Sequence, residues 1–445
     1  MNLPDPRAAR AFRFIGRDYV DGEARLRYAF DDGPELVERI GFPGAPEPAA
    51  ERRAAFEHAL DLLHWIAGVS YYKAGVPPQV RIEGALPDAP TAAFLDALYR
   101  HGLGEFAWHN RLDLTERIAF PADGEARPAA PALGLPNRSL VPIGGGKDSL
   151  VSVELFKRAG EAATATWIGT SPLIEACAAR TGLPTLNVTR QVSPLLFDYN
   201  RAGAWNGHVP VTAINSAILV VAAILYGYDA IAFSNERSAS SATLEYEGQP
   251  VNHQWSKSWA FEHAFADRVQ ALVAADLHYY SLLRPLSELA VAERFARENR
   301  YDAVFSSCNR NFRILGPKPA DRWCGQCPKC HFVFLALAPF MPKPRLLGIF
   351  GANLLDQPAL APGFDALLEY RDHKPFECVG EGRESRAAMA FLAGRAEWRE
   401  DALVERFASE IRPQLAGEDL ALAPLLTPAG EHRIPARLAA WVERG

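Results

Sequence analysis

From residue 138 to about residue 306, short apolar runs alternate with longer stretches whose apolar residues recur at helical spacing. The predicted strands are RSLVPIG, ATATWIG, TLNVTR, DAIAFS and DAVFSS. The predicted helices between them include DSLVSVELFKRAG, PLIEACAARTG, PVTAINSAILVVAAILYG and SELAVAERFARENR. This alternation is typical of a parallel sheet with crossover helices. The middle of the chain is therefore predicted to have an α/β fold.

The sections on either side of this alternation have different patterns. Before it, ARLRYAF and QVRIEGA are predicted strands, and residues 49–75 and 91–106 are predicted helices. Residues 121–139 are rich in Pro, Ala and Gly, which indicates a linker or a long surface loop. After about residue 345 the pattern is mostly helical, with proline and glycine breaks. The predicted units are an N-terminal α+β domain over 1–135, a parallel-sheet domain over 136–344 and a mostly helical region over 345–445.

Composition narrows the class of function. Hydrophobic residues make up 49% of the chain and charged residues 22%, which is typical of a folded soluble protein. The formal net charge of −6 argues against nucleic acid as the main partner, because proteins that bind it usually present a basic face. The N-terminus MNLPDPRAAR has no apolar core of a signal peptide, and the longest apolar run is interrupted at YGYD. We therefore expect a cytoplasmic protein that binds neither nucleic acid nor membrane.

The stretch VPIGGGKDSL joins a predicted strand to a predicted helix. Glycine lets the backbone approach a ligand closely, and a helix N-terminus favours an anion. The stretch fits neither the Walker loop nor the dinucleotide fingerprint, because Asp148 follows the lysine and Ser149 takes the place of the third glycine. It predicts a nucleotide phosphate site, with a capped strand–helix turn as the alternative. The predicted phosphate-site residues are Gly144, Gly145, Gly146, Lys147, Asp148 and Ser149.

The ends of the other predicted strands are polar as well. Parallel sheets bind ligands at the carboxyl ends of their strands, so side chains at these ends are candidates for the same site. They are Thr170, Asn235, Glu236, Arg237, Ser238 and Arg310. The polar loops before and after the most apolar helix add His208, His253 and Lys257. Each of these three residues has packing or helix capping as its alternative role.

Four of the six cysteines are spaced for a metal ion. Cys324, Cys327 and Cys330 are separated by two-residue gaps, and Cys308 can complete a tetrahedral four-sulfur set. Four thiolates leave no open coordination position, so the pattern predicts a structural zinc ion rather than a catalytic one. Cys378 has no visible partner in the sequence.

These motifs resemble those of known enzymes. Gly145, Gly146, Asp148 and Ser149 resemble the S-G-G-x-D-S pyrophosphate loop of the adenylating PP-loop ATPases, with Gly144 in place of the serine. Cys308 followed by C-G-x-C-x-x-C resembles the deazaguanine nitrile synthases, which adenylate a carboxylate. The combination of GGGKDS, SNERSAS and CGQCPKC resembles, along essentially the whole chain, the ATP-dependent UDP-N-acetylmuramoyl-L-alanyl-L-glutamate epimerases of peptidoglycan synthesis.

The resemblance implies a PP-loop ATPase domain that adenylates the terminal glutamate of a nucleotide-sugar dipeptide and releases pyrophosphate. Adenylation removes the carboxylate charge, so the α-proton can leave without a second negative charge building beside the first. The loop N–H groups and Lys147 would hold phosphates, Asp148 would help to bind Mg²⁺, and Thr170 would lie near the adenosine.

The resemblance also implies a substrate-binding set and a base. Arg237 or Arg310 would hold a substrate carboxylate, with Asn235 and Ser238 beside them. The candidates for the group that moves the α-proton are His208, His253, Lys257 and Glu236.

Three other functions are compatible with parts of the pattern. An amide- or nitrile-forming ligase would share the adenylation step but would need an amine source, and the chain shows no glutaminase-type nucleophile motif. A tRNA-thiolating enzyme shares the loop but usually has a reactive cysteine and a basic surface. A zinc-stapled binding protein without catalysis would explain Gly144, although the intact Asp148 and Ser149 argue against it.

Overall fold

The computed structural model describes residues 3–124, 128–313 and 317–444. Eleven strands lie within these ranges: β1 (Ala11–Val20), β2 (Glu23–Phe30), β3 (Leu36–Gly41), β4 (Gln79–Ile82), β5 (Ser139–Pro142), β6 (Ala163–Ile168), β7 (Thr185–Gln191), β8 (Ala230–Phe233), β9 (Leu244–Tyr246), β10 (Gln249–Val251) and β11 (His278–Ser281).

The helices in the same ranges fall mainly before, between and after the strands of the central section. They are α1 (Arg53–Ala67), α2 (Val69–Tyr72), α3 (Ala89–Gly102), α4 (Gly104–Asn110), α5 (Lys147–Ala159), α6 (Pro172–Thr181), α7 (Pro194–Arg201), α8 (Val211–Tyr226), α9 (Trp259–Leu272), α10 (Glu288–Ala296), α11 (Pro328–Leu337), α12 (Lys343–Phe350), α13 (Ala361–Leu367), α14 (Gly382–Ala393), α15 (Ala402–Arg406), α16 (Ala423–Leu426) and α17 (Ala436–Arg444). None of them combines the length and apolar character that crossing a bilayer requires.

Nine strands form one sheet in the order β11-β8-β5-β6-β7-β3-β2-β1-β4. The pairs from β11 to β7 are parallel, and the pairs β7–β3, β3–β2 and β2–β1 are antiparallel. The predicted α/β fold is therefore confirmed. The N-terminal strands extend the central sheet through the contact of β3 with β7, where Gly41 pairs with Thr189. A Cβ atom at Gly41 would lie 2.5 Å from Thr189 Oγ1, so the close approach of these strands requires glycine. The predicted boundaries at residues 135 and 344 stay predictions.

One predicted strand is wrong. Residues 302–306 of DAVFSS are not a strand, because the N–H groups of Val304 and Phe305 both donate to the carbonyl of Tyr301, 2.9 Å away, and close a turn. The position beside β8 is taken instead by β11, in which Tyr279 pairs with Ile231. A short apolar run does not by itself distinguish a strand from a buried turn, and the sheet edge had another occupant.

The sheet separates two hydrophobic cores. In β5, Leu140 belongs to the core that contains α1, α8 and α9, while its neighbour Val141 belongs to the core that contains α5, α10 and α11. Successive strand residues point to opposite faces, so a fully apolar strand supplies both cores. The C-terminal helices pack into the second core.

The order of the parallel strands creates a crevice between β5 and β8. From β5 the chain runs through β6 to β7 on one side and then returns to β8 on the other side of β5. In open parallel sheets, ligands bind outside the carboxyl ends of the strands at such a reversal point. This topology places the glycine-rich loop after β5 beside the polar segment after β8.

Candidate active site

A cavity of about 690 Å³ opens at the carboxyl ends of β5 and β8. Its lining comes from segments far apart in sequence, including the glycine-rich loop, the first half of α8, the segment after β8 and the loop before α14. Of the predicted site residues, the cavity is lined by Gly144, Gly146, Asp148, Ser149, His208, Asn235, Glu236, His253 and Lys257. The topology thus brings most of the candidates together.

The glycine-rich loop is a tight turn that is closed by its own hydrogen bonds. Gly145 has a φ of +81°, a conformation that a side chain disfavours, and its carbonyl accepts from Ser306 N–H at 2.9 Å. Ser149 Oγ donates to the Gly146 carbonyl at 3.2 Å and accepts from Gly144 N–H at 3.4 Å. The hydroxyl of Ser149 therefore holds the loop against the first turn of α5.

Four helices begin at this cavity. Lining residues lie in the first turns of α5 (Asp148), α8 (Thr212), α10 (Glu288) and α11 (Lys329). The N-terminus of each helix carries partial positive charge and N–H groups without partners inside the helix. Convergence of four such ends makes the cavity favourable for a polyanion.

Lys147 lies behind the cavity rather than in its lining. Its ammonium group is 1% exposed and donates to the carboxylates of Asp148 and Glu288. Burial opposes its charge, but the two carboxylates still raise the pKa of Lys147 above its ordinary range. Burial likewise opposes the charge of Asp148, whereas Lys147 and Lys329 hold the pKa of that carboxyl below its ordinary value. The cavity therefore presents an ionised carboxylate at the first turn of α5.

Glu236 is a buried carboxyl in the same wall. Burial, together with the negative charges of Glu288 and Asp148, raises the pKa of Glu236 to about 8. Its Oε1 atom is buried without a hydrogen-bond partner. The protonated form thus predominates at neutral pH, and the site holds one carboxyl that can donate a proton beside one that is ionised.

A buried arginine fixes the backbone on both sides of this wall. Arg284 donates to the carbonyls of Glu236 at 2.8 Å and Lys257 at 2.6 Å. Its guanidinium is held in turn by Glu262 Oε2, at 2.7 and 3.1 Å. Arg284 therefore sets the positions of two cavity-lining residues without reaching the cavity itself.

A second group of ionisable side chains surrounds Cys378. Lys257 Nζ lies 3.1 Å from Cys378 Sγ, and His253 contacts the same thiol. His253 Nδ1 donates to Glu105, which also lies 3.5 Å from His208 Nδ1. Glu105, His208 and His253 have potential metal-ligand atoms within 4.8 Å of one another, but the direct hydrogen bond between His253 and Glu105 leaves no space for an ion between these two.

The two histidines differ in charge. Burial lowers the pKa of His208 to about 4, and the neighbouring His253 lowers it further, so His208 is neutral at pH 7. Burial also opposes the charge of His253, but its contacts with Cys378 and Glu105 raise its pKa to about 9. His253 is therefore an imidazolium ion at neutral pH.

Four predicted residues lie outside the cavity lining. Thr170 is exposed after β6, and Arg310 lies in the short turn Asn309–Phe312. Arg237 reaches the carbonyl of Pro285 at 3.5 Å, and Ser238 Oγ donates to Glu384 in α14 at 2.7 Å. The predicted binding roles of these four residues stay predictions.

The four spaced cysteines come together at the start of α11. The Sγ–Sγ distances are 4.0 Å for Cys308–Cys327, 3.7 Å for Cys324–Cys330 and 3.5 Å for Cys327–Cys330. Sulfur atoms about 2.3 Å from a tetrahedral ion lie about 3.8 Å apart, so the set fits a four-coordinate metal. Lys329, between two of these cysteines, lines the active-site cavity. A metal at this position would thus fix one wall of the cavity.

Comparison with known proteins identifies the family. Residues 4–282 match the family model of the MurL N-terminal domain, and residues 304–422 match that of the MurL C-terminal domain. The chain belongs to the MurL family. This membership confirms the family resemblance inferred from the three motifs, and it confirms that the chain is an epimerase, an enzyme of the isomerase class.

Curated relatives in the MurL family are similar along nearly their whole length. The chain is 61% identical over 441 residues to UDP-N-acetyl-alpha-D-muramoyl-L-alanyl-L-glutamate epimerase of Xanthomonas oryzae pv. oryzae (strain MAFF 311018), covering 98% of each chain. It is 42% identical to the proteins of the same name from Salinispora tropica and from a Micromonospora species. These matches cover 95% of this chain and 93% of the Salinispora protein, and 94% of both chains for Micromonospora.

Several cavity residues of this MurL family member were not singled out in the sequence. They are Glu105, Arg284, Glu288, Arg313, Lys329 and Cys378, of which Glu105 and Arg284 act behind the lining. Lys329 and Glu288 lie in predicted or motif-bearing segments, so their closeness to helix starts was a usable signal. Glu105 and Cys378 have no local pattern that distinguishes them from ordinary surface residues.

Substitution of Glu236 by glutamine is expected to change how stability depends on pH. Below an ordinary pKa near 4.5 both the folded and unfolded states carry the proton, and above about 8 both have lost it. Between these values only the unfolded state releases the proton, so ionisation of Glu236 opposes folding increasingly as the pH rises. The melting temperature of Glu236→Gln relative to the unmodified protein should therefore be higher at pH 8 than at pH 5.5.

Differential scanning fluorimetry at the two pH values measures this difference. Glu175→Gln is a matched control, because Glu175 is an exposed acid in the first turn of α6 and does not line the cavity. An equal offset for Glu236→Gln at both pH values would show that Glu236 is ionised in the folded protein.

Proposed function

We propose that this protein is an ATP-dependent epimerase that converts the terminal L-glutamate of UDP-MurNAc-L-Ala-L-Glu to D-glutamate, with release of AMP and pyrophosphate. The observation that carries the proposal is a single cavity in which the glycine-rich loop, four helix N-termini and a protonated carboxyl meet. The names of the relatives supply the substrate. The reaction would belong to the cytoplasmic stage of peptidoglycan synthesis.

The loop and the helix ends would bind the phosphates of ATP. Gly144 and Gly146 bring backbone close to the cavity, and α5 begins there. The lining cations Lys257, Lys329 and Arg313 add positive charge around the same space. This arrangement supports assignment of the sheet to the PP-loop ATPases, whose pyrophosphate loop the sequence resembles.

Asp148 is suited to hold Mg²⁺. It is ionised, lies in the lining, and sits in the first turn of α5 beside the loop that would carry the phosphates. Carboxylate oxygens are the protein ligands that Mg²⁺ prefers. Bound Mg²⁺ would neutralise charge on the phosphates. Lys147, paired with Asp148 and Glu288, keeps both carboxylates ionised and oriented.

Adenylation makes the following proton transfer feasible. An oxygen of the glutamate α-carboxylate attacks the α-phosphorus of ATP, and the bond to pyrophosphate breaks. The resulting acyl phosphate anhydride has no charge on its acyl group, so its carbonyl can accept the electron pair that the α-proton leaves behind. Reprotonation on the opposite face and hydrolysis then give the D-epimer and AMP.

Among the four candidates from sequence, Glu236 is the one suited to return the proton. His253 and Lys257 are cations that are already ion-paired, and neither can accept a proton at neutral pH. His208 is neutral but weakly basic, since its pKa lies near 4. Glu236 lines the cavity in its protonated form and has an oxygen without another partner. We therefore place Glu236 as the proton donor.

The four-cysteine cluster would hold a structural zinc ion. The sulfur distances fit tetrahedral coordination, and all four thiols are free of disulfides. Its place at the start of α11 links the C-terminal helices to the cavity wall through Lys329. The set has no open position for a substrate, so the ion would act on structure alone.

The proposed function is tested by incubating the purified protein with Mg·ATP and UDP-MurNAc-L-Ala-L-Glu. AMP and pyrophosphate are quantified, and glutamate chirality is resolved after acid hydrolysis. We expect AMP only when the dipeptide is present, with D-glutamate formed; UDP-MurNAc-L-Ala, which lacks the glutamate, should give none. AMP without inversion would indicate a ligase with another nucleophile. No AMP at all would indicate a binding protein.

A further inference from the structure

Cys378 joins the C-terminal region to a cavity built otherwise from the sheet section and α11. It lies between α13 and α14 and lines the cavity. It is separate from the four-cysteine cluster. Its Sγ atom is 3.1 Å from Lys257 Nζ, and its own carbonyl accepts from Lys329 Nζ. Two lysines from different segments therefore hold this residue at the cavity surface.

A histidine and a carboxylate stand behind the thiol. His253 contacts Cys378 on one side, and its Nδ1 donates to Glu105 on the other. Glu105 belongs to α4 of the N-terminal section, so the series Glu105–His253–Cys378 spans the molecule. A carboxylate that orients an imidazolium against a sulfur is the arrangement that activates a cysteine in nucleophilic and acid–base chemistry.

The charges that face Cys378 favour a thiolate. Burial raises its pKa, but the cations of Lys257, His253 and Lys329 outweigh burial and lower the pKa of Cys378 to about 5. Glu377, next to it in the same loop, and Glu105, behind His253, are the carboxylates nearby. The cavity thus holds an ionised sulfur and the protonated Glu236, which is the pair of states that a two-base epimerisation needs at neutral pH.

We propose that Cys378 is the catalytic base that removes the α-proton of the adenylated glutamyl group, on the face opposite the proton donor Glu236. This inference rests on the proposed function and adds the residue that its proton-transfer step lacks. The Cα–H bond breaks and an S–H bond forms, while the electron pair moves into the acyl carbonyl to give an enolate. The O–H bond of Glu236 then breaks, a new Cα–H bond forms on the other face, and the carbonyl is restored. Proton exchange with water returns both residues to their starting states.

The test compares three activities in the full-length protein. ATP–pyrophosphate exchange reports adenylation, deuterium uptake at the glutamate Cα in D₂O reports deprotonation, and D-glutamate reports inversion. In Cys378→Ser we expect deuterium uptake and inversion to fall about 10³-fold, because a positioned acid–base group typically contributes 10²–10⁴. ATP–pyrophosphate exchange should stay within about threefold, since the thiolate takes no part in adenylation.

Glu236→Gln is the matched comparison. It keeps Cys378, so it should still take up deuterium into the L-epimer while losing inversion. Cys378→Ser that still inverts glutamate within about tenfold of the unmodified rate would overturn the proposal. So would a parallel loss of ATP–pyrophosphate exchange, which would indicate a structural role. If the unmodified protein forms no AMP with the dipeptide, the proposed function itself fails, and that result does not depend on Cys378.

A second measurement does not depend on the variant's folding. Alkylation of the unmodified protein by iodoacetamide, mapped to Cys378 by mass spectrometry, should proceed about as fast at pH 6.5 as at pH 8, since a thiolate is already present. Bound dipeptide with a non-hydrolysable ATP analogue should slow it. Alkylation that rises steeply from pH 6.5 to pH 8, as for an ordinary thiol of pKa about 8.5, would overturn the proposal.

Discussion

Asp148→Asn is expected to lower dipeptide-dependent AMP formation about 10²- to 10³-fold, the loss typical for removal of one preorganised electrostatic contact to a transition state. Asp148 is an ionised carboxylate at the first turn of α5, where the loop would present the phosphates of ATP. Asparagine keeps the size of the side chain but removes the charge that would hold Mg²⁺. Lys147 retains Glu288 as a partner, so we expect the protein to stay folded.

The measurement is chromatographic quantification of AMP at several Mg²⁺ concentrations, with a melting curve for each variant. Glu175→Gln again serves as control, because it removes an acid from the first turn of a neighbouring helix outside the cavity. The variant Asp148→Asn should need more Mg²⁺ for half-maximal rate, while the control should match the unmodified protein. Retention of more than about a tenth of the rate would assign the metal to other ligands.

Removal of the metal from the cysteine cluster is expected to unfold the C-terminal region and abolish activity. Structural zinc in small sites contributes about 10–16 kcal/mol of apparent binding free energy, which is comparable with the whole stability of a typical domain. Here the four sulfurs fix the start of α11, whose residues Cys330 and Phe332 are buried in the second core. Loss of the ion would free Lys329 from the cavity wall as well.

Elemental analysis should find one zinc per chain, and a high-affinity zinc chelator or Cys330→Ser should lower the melting temperature by about 10 °C or more. Cys177→Ala is the matched control: Cys177 is buried in α6, outside the cluster, and its loss should leave the zinc content unchanged. A chain purified without metal, or one whose melting curve is insensitive to chelation, would contradict the assignment.

The secondary structure of the central section follows from local patterns. Strands such as β5 and β8 are fully apolar, and helices such as α5 end at glycine in a left-handed conformation, with Gly160 at φ +68°. These signals act over a few residues and so can be recognised in sequence. The exception is instructive: DAVF has the composition of a strand, but the sheet edge it would fill is occupied by β11.

Sheet pairing between distant segments has no local signal. The antiparallel contact of β3 with β7 joins the first 41 residues to the central sheet, and it depends on a close approach at Gly41 that only the folded chain reveals. Predictions of separate N-terminal and central units could not anticipate this contact, because strand register is set by the surface that each strand finds.

What the sequence determined by itself is the chemistry that neighbouring residues share: the glycine-rich loop of GGGKDS, the four-sulfur set and the family. In each case a short backbone spacing fixes the geometry, so the pattern carries the function. Only the tertiary structure decided that Glu105, His253, Lys257 and Cys378 meet at one point and that Lys147 turns away from the cavity. Those contacts depend on how the sheet, α4 and the C-terminal loop pack, and the charge states of the buried groups follow from that packing, because burial and nearby charges, not residue type alone, set a pKa.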